Sequence, residues 1–420
     1  MKTSLEPRVS PASHVSYVVR TARESVAIGD DTPAFTIRVP SMPAWTRLCR
    51  LDAYRAALAY LHGEFDVEGD LVAAVTAWSQ QARPAPIAAS LFSLAAKVRP
   101  ERWFQRRSRA QRNIAFHYDR SNAFYRLFLD KRLVYSCAYF ERPEMTLDDA
   151  QDAKLDLVCR KLDLTRDDTF LDVGCGWGAL VTWAVERFGA RAAGCTLSRQ
   201  QYDAAVRLIG ERGLTGRARI ELRDYREMEG RFTKIASVGM VEHVGRARLR
   251  GYFAALAHRL AGGGLLLNHG IARPSTVRQD AASLFLQRRV FPGGELVPIG
   301  EMIAAAEHAG FETLDVENLR PHYARTCREW VARLRANEDA CVRLVGRETY
   351  RTWVLYLAAS STSFEEGATE VFQALFARRG EAVRRRMSRR YIYPASAAWP
   401  PPEAPKLTAD DDQARPEQEQ

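Results

Sequence analysis

Leu171-Asp172-Val173-Gly174-Cys175-Gly176-Trp177-Gly178 is the segment of this 420-residue chain whose composition speaks most directly of chemistry. Glycines at 174, 176 and 178 let the backbone turn tightly and come close to a ligand, and the apolar run before them has the length of a buried strand. A glycine turn at the carboxyl end of such a strand is where open α/β sheets hold nucleotide-like groups. The spacing is G-x-G-x-G rather than the G-x-G-x-x-G of a dinucleotide site, and Asp172 stands on the strand itself. Further along, Glu242 and His269 each follow an apolar strand-like run, Ile235 to Val238 and Gly264 to Asn268, so both should project from the same sheet edge. A lone carboxylate there must be paired or lose its charge. Glu242, His243, His269 and Tyr323 could alternatively ligate a metal, although the H-x-x-x-H and H-x-E spacings of familiar sites are absent.

The elements that must position these residues come from periodicity. From about Thr169, strands alternate with helices: Phe170 to Val173, a helix from Ala179 to Phe188, Arg191 to Cys195, a helix from Arg199 to Arg212, then Arg219 to Leu222. Ile235 to Val238, a helix from Leu249 to Leu260, Gly264 to Asn268 and a later strand from Phe311 to Val316 continue the series. This predicts an open, doubly wound parallel sheet. Upstream, Leu48, Leu51, Tyr54, Leu58 and Leu61 predict one helix from Ser41 to His62, ended by Gly63. Phe65 and Val67 alternate like a short strand, and Asp70 is placed to cap a second helix carrying Leu71, Val75 and Trp78. The expected organisation is a small N-terminal domain over 1–82, a Pro-bounded linker over 83–101, a catalytic domain over 102–392, and a disordered Pro- and Asp-rich tail over 393–420.

Apolar residues make up 46% and charged residues 27%, which excludes wholesale disorder and small disulfide scaffolds. Seven scattered cysteines without C-x-x-C spacing read as free thiols. The longest uncharged apolar stretches, such as Leu71 to Trp78, fall short of a membrane span. Lys2 is followed by Glu6, Pro7, Arg8 and Pro11 rather than by an apolar run, so no secretory signal is read and the cytoplasm is the expected compartment. The net charge of +10 concentrates in two clusters, Lys97 to Arg112 and Arg378 to Arg390, and would attract nucleic acid, acidic lipid or only water.

Beyond single motifs, a series of segments resembles the cyclopropane fatty acid synthases and the mycolic acid cyclopropane synthases and methyltransferases. The glycine loop resembles the S-adenosylmethionine loop of class I methyltransferases. Where most of those place an acidic residue after the second strand, this chain has Thr196-Leu197-Ser198-Arg199-Gln200-Gln201, itself a mark of the resembled family. His117-Tyr118-Asp119-x-Ser121-Asn122, Tyr135-Ser136-Cys137-Ala138-Tyr139-Phe140, Asp224-Tyr225-Arg226, Met240-Val241-Glu242-His243, Asn268-His269-Gly270-Ile271, Phe291-Pro292-Gly293-Gly294 and His322-Tyr323-Ala324-Arg325-Thr326 recur in the same order. Gly270 departs from the pattern, standing where many relatives have threonine. The resemblance covers about residues 40 to 380, and the N-terminal segment Gly63 to Leu71 looks like that of the phospholipid-acting members.

The resemblance implies a class I methyltransferase fold, Rossmann-like and doubly wound, with a small mixed N-terminal domain and helical lid segments. It implies S-adenosylmethionine held by Tyr135, Ser136, Gly174, Cys175, Gly176, Trp177, Gly178, Thr196, Gln201, Tyr225 and Arg226. It also implies a bicarbonate ion held by Glu242, His269 and Tyr323 and by the backbone of Cys137 and Ile271, with no metal. The implied reaction is methyl transfer to the double bond of an unsaturated acyl chain of membrane phospholipid, followed by ring closure. Aromatic faces suit a developing carbocation, and Tyr139, Phe140, Phe285 and Phe291 are candidates, with core packing as their ordinary role. Bicarbonate would accept the proton lost on ring closure. The implied partners are phospholipid acyl chains at a peripherally contacted inner membrane surface, with room for a homodimer and no nucleic acid, since no nucleic-acid-binding motif is present. A methyl-branched acyl product, a methylated small-molecule amine, or a catalytically silent lipid-binding module are the readings that compete.

Overall fold

The computed structural model describes residues 15–81, 121–277, 285, 289–290, 294–381 and 388–393. The basic cluster from Lys97 to Arg112, the segment His117 to Asp119, Phe291 to Gly293, the linker and the tail from 394 lie outside the described residues.

The N-terminal part forms a four-stranded sheet of β1 (Tyr17–Arg20), β2 (Ser25–Ile28), β3 (Phe35–Arg38) and β4 (Asp66–Gly69), ordered β2-β1-β3-β4. The single helix expected over Ser41 to His62 is two, α1 (Met42–Leu48) and α2 (Ala53–Leu61). Asp52 breaks it: its extended backbone starts a new helix, and its carboxylate accepts from Arg55 N at 2.8 Å. Asp70 caps α3 (Leu71–Gln81) as expected, accepting from Ala73 N at 3.0 Å. These elements share their core with the rest of the chain. Tyr17, Phe35 and Trp45 belong to the same buried cluster as Trp330, Trp353 and Leu357. Arg351, 7% exposed, donates to the Tyr60 carbonyl at 2.6 Å and to Asp66 at 2.8 Å across the junction.

The larger part runs α4 (Asn122–Arg126), α5 (Leu147–Lys161), β5 (Thr169–Val173), α6 (Ala179–Phe188), β6 (Arg191–Thr196), α7 (Arg199–Glu211), β7 (Ala218–Leu222) and β8 (Phe232–Val238). It continues with α8 (Leu249–Arg259), β9 (Leu260–Ala272), α9 (Ile299–His308), β10 (Phe311–Asn318), α10 (Arg320–Ala336), α11 (Glu338–Val345), α12 (Arg347–Glu365) and β11 (Glu370–Arg378). The sheet order is β10-β11-β9-β8-β5-β6-β7. Strands β5 to β9 are mutually parallel, so the order reverses at β5 and opens a crevice at its carboxyl end between β6 and β8.

Two features depart from the sequence reading. Strand β11 is an unanticipated antiparallel member inserted between β10 and β9. Its pairing lengthens β9 well past Asn268: Gln373 stands opposite His269 and Val371 opposite Ile271. His269 and Ile271 therefore lie within a strand rather than after one. Part of the second basic cluster is structural, since Arg378 donates to the carbonyls of Ala257 and Leu260 and Arg389 pairs with Asp315. No helix among the described residues is long and apolar enough to cross a membrane.

Candidate active site

The crevice is lined by the glycine loop, by Tyr135 and Ser136 from the segment before α5, by Thr196 and Gln201, and by Asp224, Tyr225 and Arg226 after β7. Backbone geometry explains the loop. Gly174, Gly176 and Gly178 have φ of 79°, 54° and 84°, a region costly to other residues. A β-carbon at Gly174 would come within 3.1 Å of Met240, whereas at Gly176 it would meet no protein atom within 4 Å. The rest of the lining is tied down. Thr196 donates to Gln201 Oε1 at 2.8 Å, and Ser198, the α7 cap, accepts from Gln201 N at 3.4 Å. Arg226 is held by both oxygens of Asp224 at 2.7 and 2.6 Å. Trp177 donates to Asn122 at 2.8 Å, and the Tyr135 hydroxyl to that of Tyr356 at 3.2 Å.

The lining also includes two charged groups to which sequence reading gave no role. Asp172 is 3% exposed with Oδ1 unpartnered, and burial pushes its carboxyl up to about 7 against the pull of Lys154. Lys154, itself 2% exposed, donates to Ser136 Oγ at 3.0 Å and is lowered to about 8 by burial. Three residues before it on α5, Gln151 donates to the carbonyls of Val134 at 3.3 Å and Ser136 at 2.8 Å. One face of α5 thus fixes the Tyr135–Ser136 segment. The only sequence signal for this was a lysine and a glutamine at i and i+3 on an unmarked helix.

Next to the crevice, Glu242 sits in a short turn after β8 (Val241–His243), its Oε1 accepting from Ile271 N at 2.7 Å. Oε2 is buried without a partner, and burial raises the carboxyl to about 7. That bond occupies the Ile271 N–H, so while it lasts Ile271 has only its carbonyl to offer another group. His269, 1% exposed, contacts Gln373 through Nδ1 at 3.1 Å and leaves Nε2 unpartnered; burial drives its basicity well down, keeping it neutral. Tyr323, on α10, stacks on Phe364 at 4.5 Å and lies within electrostatic reach of Glu242, Tyr356 and Cys137, with its phenol raised by burial. The Cys137 thiol is fully buried, is raised by desolvation and points at the Leu319 carbonyl at 3.8 Å. It is no nucleophile. His243 is lowered to about 4 by burial. Among the described residues no group of three or more His, Cys, Asp or Glu side chains is placed to hold a metal.

The aromatic candidates separate. Phe140 carries the Arg325 guanidinium 4.0 Å above its ring, and Tyr139 packs on His322 at 4.9 Å. Phe285 belongs instead to a cluster with Tyr60 and Leu61 of α2. Gly270 has a local explanation: a β-carbon there would stand 2.3 Å from Val241 Cγ1, the neighbour of Glu242. Gly270→Thr is therefore expected to destabilise the protein by about 1–3 kcal/mol, as overpacking does, and Val241→Ala in the same chain should restore most of the loss. Calorimetric unfolding of the wild type and the two variants checks this, and an unchanged Gly270→Thr melting curve contradicts it.

Six parallel strands and one antiparallel strand in this order, with a glycine loop at the point of reversal, define a class I S-adenosylmethionine-dependent methyltransferase fold. Residues 105–374 match the family described as mycolic acid cyclopropane synthetase. The chain belongs to that family of S-adenosylmethionine-dependent methyltransferases. It is 38% identical over 349 residues to a probable fatty acid methyltransferase of Pseudomonas putida, covering 82% of this chain and 87% of that protein. It is 36% identical over 272 residues to cyclopropane mycolic acid synthase 3 of Mycobacterium tuberculosis, covering 62% and 95%. Among solved structures it resembles mycolic acid cyclopropane synthase CmaA1 complexed with SAH and CTAB, with a TM-score of 0.61 at 36% identity, covering 63% and 97%. The cyclopropane synthase MmaA2 from Mycobacterium tuberculosis gives a TM-score of 0.62 at 32% identity, covering 64% and 98%.

Proposed function

We propose that the protein is a cyclopropane-fatty-acyl-phospholipid synthase, adding the methyl carbon of S-adenosylmethionine across the double bond of an unsaturated acyl chain, with bicarbonate as the base. The observation that carries this reading is the pair of buried, unpartnered atoms, Glu242 Oε2 in the turn after β8 and His269 Nε2 on the adjacent strand β9, beside the glycine loop. A protein that only methylates an amine has less need of such a pair, since the amine is already a nucleophile.

The residues present fit both groups. The open face at Gly176 and the free Asp172 Oδ1 suit the amino acid end of S-adenosylmethionine, with Tyr135, Ser136, Thr196, Gln201, Tyr225 and Arg226 around it. When bound, it supplies an electrophilic methyl. An alkene is a weak nucleophile, so the chain's task is alignment and the exclusion of water, served by an aromatic wall in which buried Trp177 packs on Tyr125 and half-buried Tyr135 on Trp330. Glu242 in its protonated form, neutral His269 and Tyr323 can each offer a hydrogen to a small anion, which neutralises the cost of burying it. Methyl transfer leaves a cation on the acyl chain, and loss of one proton from the transferred methyl to the base closes the ring.

A second reading, a methyl-branched acyl product, is favoured by the Pseudomonas putida relative, which is named a probable fatty acid methyltransferase and matches most of this chain. Expression in a host without such an enzyme, followed by mass spectrometry of phospholipid fatty acids, tests the proposal. The expected product carries one added methylene and no double bond. The substrate places the enzyme at a membrane surface, where a net charge of +10 favours reversible contact with anionic lipid from the cytoplasmic side.

A further inference from the structure

Gln373 is a buried amide with no place in the reaction as described so far. It is 1% exposed, on the antiparallel strand β11, directly opposite His269 in the strand register. Opposed residues of an antiparallel pair share a face of the sheet, and here the amide nitrogen of Gln373 lies 3.1 Å from His269 Nδ1. Both side chains are sealed from water, so neither can exchange this contact for a solvent one.

The contact has a chemical consequence. A neutral imidazole carries one N–H, and the other ring nitrogen must accept. An amide N–H pointing at Nδ1 makes Nδ1 the acceptor and leaves the hydrogen on Nε2, the atom that is buried without a partner. Turning the amide over would pair Gln373 Oε1 with His269 but deprive both amide hydrogens of that contact, in place of one hydrogen and the carbonyl oxygen, and an orphaned buried N–H is the rarer of the two.

We propose that Gln373 is a positioning residue that holds His269 as its Nε2–H tautomer, so that Nε2 donates to a small anion and cannot itself take up the proton released on ring closure. This rests on the bicarbonate reading above for the identity of the anion, but the tautomer stands on geometry alone. It divides the labour at the site: the imidazole holds, and the anion accepts.

Nitrogen NMR of the full-length protein labelled at its eight histidines reads the tautomer directly, with His269 assigned by the signal missing in His269→Gln. The wild type should show the Nε2–H form. Gln373→Glu, whose carboxylate can only accept, should convert His269 to the Nδ1–H form, and Gln373→Met should give a mixture. Turnover should fall about 10- to 100-fold in both, as when outer partners of functional histidines are removed, with S-adenosylmethionine affinity unchanged and half-saturating bicarbonate raised. A wild-type Nδ1–H signal, or a Gln373→Met spectrum identical to wild type, overturns the proposal; these two readings suffice if Gln373→Glu does not fold. Failure of the cyclopropane reading shows separately, as absence of ring product from a wild type whose His269 has the expected tautomer.

Discussion

Glu242→Gln should bind S-adenosylmethionine with unchanged affinity and lose about a hundredfold in turnover, the scale on which small misplacements of reacting groups are felt. The reason lies in what the carboxyl contacts. Oε1 is anchored by Ile271 N at 2.7 Å, whereas Oε2 has no protein partner; an amide keeps that anchor through its oxygen but replaces the carboxyl O–H with a weaker, differently placed N–H donor, which shifts the anion. The same variant should alter stability with pH. The folded-state carboxyl is raised from 4.5 to about 7, so the folded protein favours the neutral form. That contribution is fully present below the unfolded value near 4.5 and is lost as pH rises through 7. A glutamine is neutral throughout. Relative to wild type, Glu242→Gln should gain stability between pH 5 and 8, by about 3 kcal/mol at most, taking about 1.4 kcal/mol per pKa unit. Asp172, shifted in the same direction, is present in both proteins and cancels. Titration calorimetry and thermal unfolding across that range decide the matter. A variant that loses cofactor affinity in step with turnover would move Glu242 into the cofactor site.

Gly176→Val should abolish measurable S-adenosylmethionine binding while leaving a folded protein. At φ of 54° the substitution carries the strain of a left-handed backbone, roughly 1–2 kcal/mol. Its β-carbon meets no protein atom within 4 Å, so the side chain starts into the open face of the loop. Gly213→Val is the matched control: φ is 67°, its β-carbon is equally free, and it lies in the turn after α7, outside the crevice lining. Both variants should melt at similarly reduced temperatures, and only Gly176→Val should lose the ligand. Equal affinity in the two would remove the glycine loop from the site.

What the sequence made legible follows local chemistry. Strands β5 to β8 and helices α6 to α8 were readable because apolar runs alternate with helical periodicity and end in glycine turns. The same reading missed α5, because charged residues such as Asp152, Lys154 and Asp156 break up its apolar face. It missed β11, a short apolar run between Gly367 and an arginine cluster, whose strand character comes from its neighbours. With β11 unseen, the true length of β9 and the partner of His269 were beyond reach. Lys154 and Gln373 act through contacts 18 and 104 residues away in the chain, which no local pattern encodes. The break at Asp52 was missed for a different reason: the leucine spacing runs in phase across it, and only the capping carboxylate marks it.

Methyl transfer from trideuteromethyl S-adenosylmethionine to vesicles of unsaturated phospholipid tests the central proposal most directly, because ring closure must remove one hydrogen from the transferred carbon. The acyl product from the purified enzyme should retain two of the three deuterons, carry no double bond, and form in proportion to bicarbonate in carbonate-depleted buffer. A product that keeps all three deuterons, at a rate indifferent to bicarbonate, would contradict it.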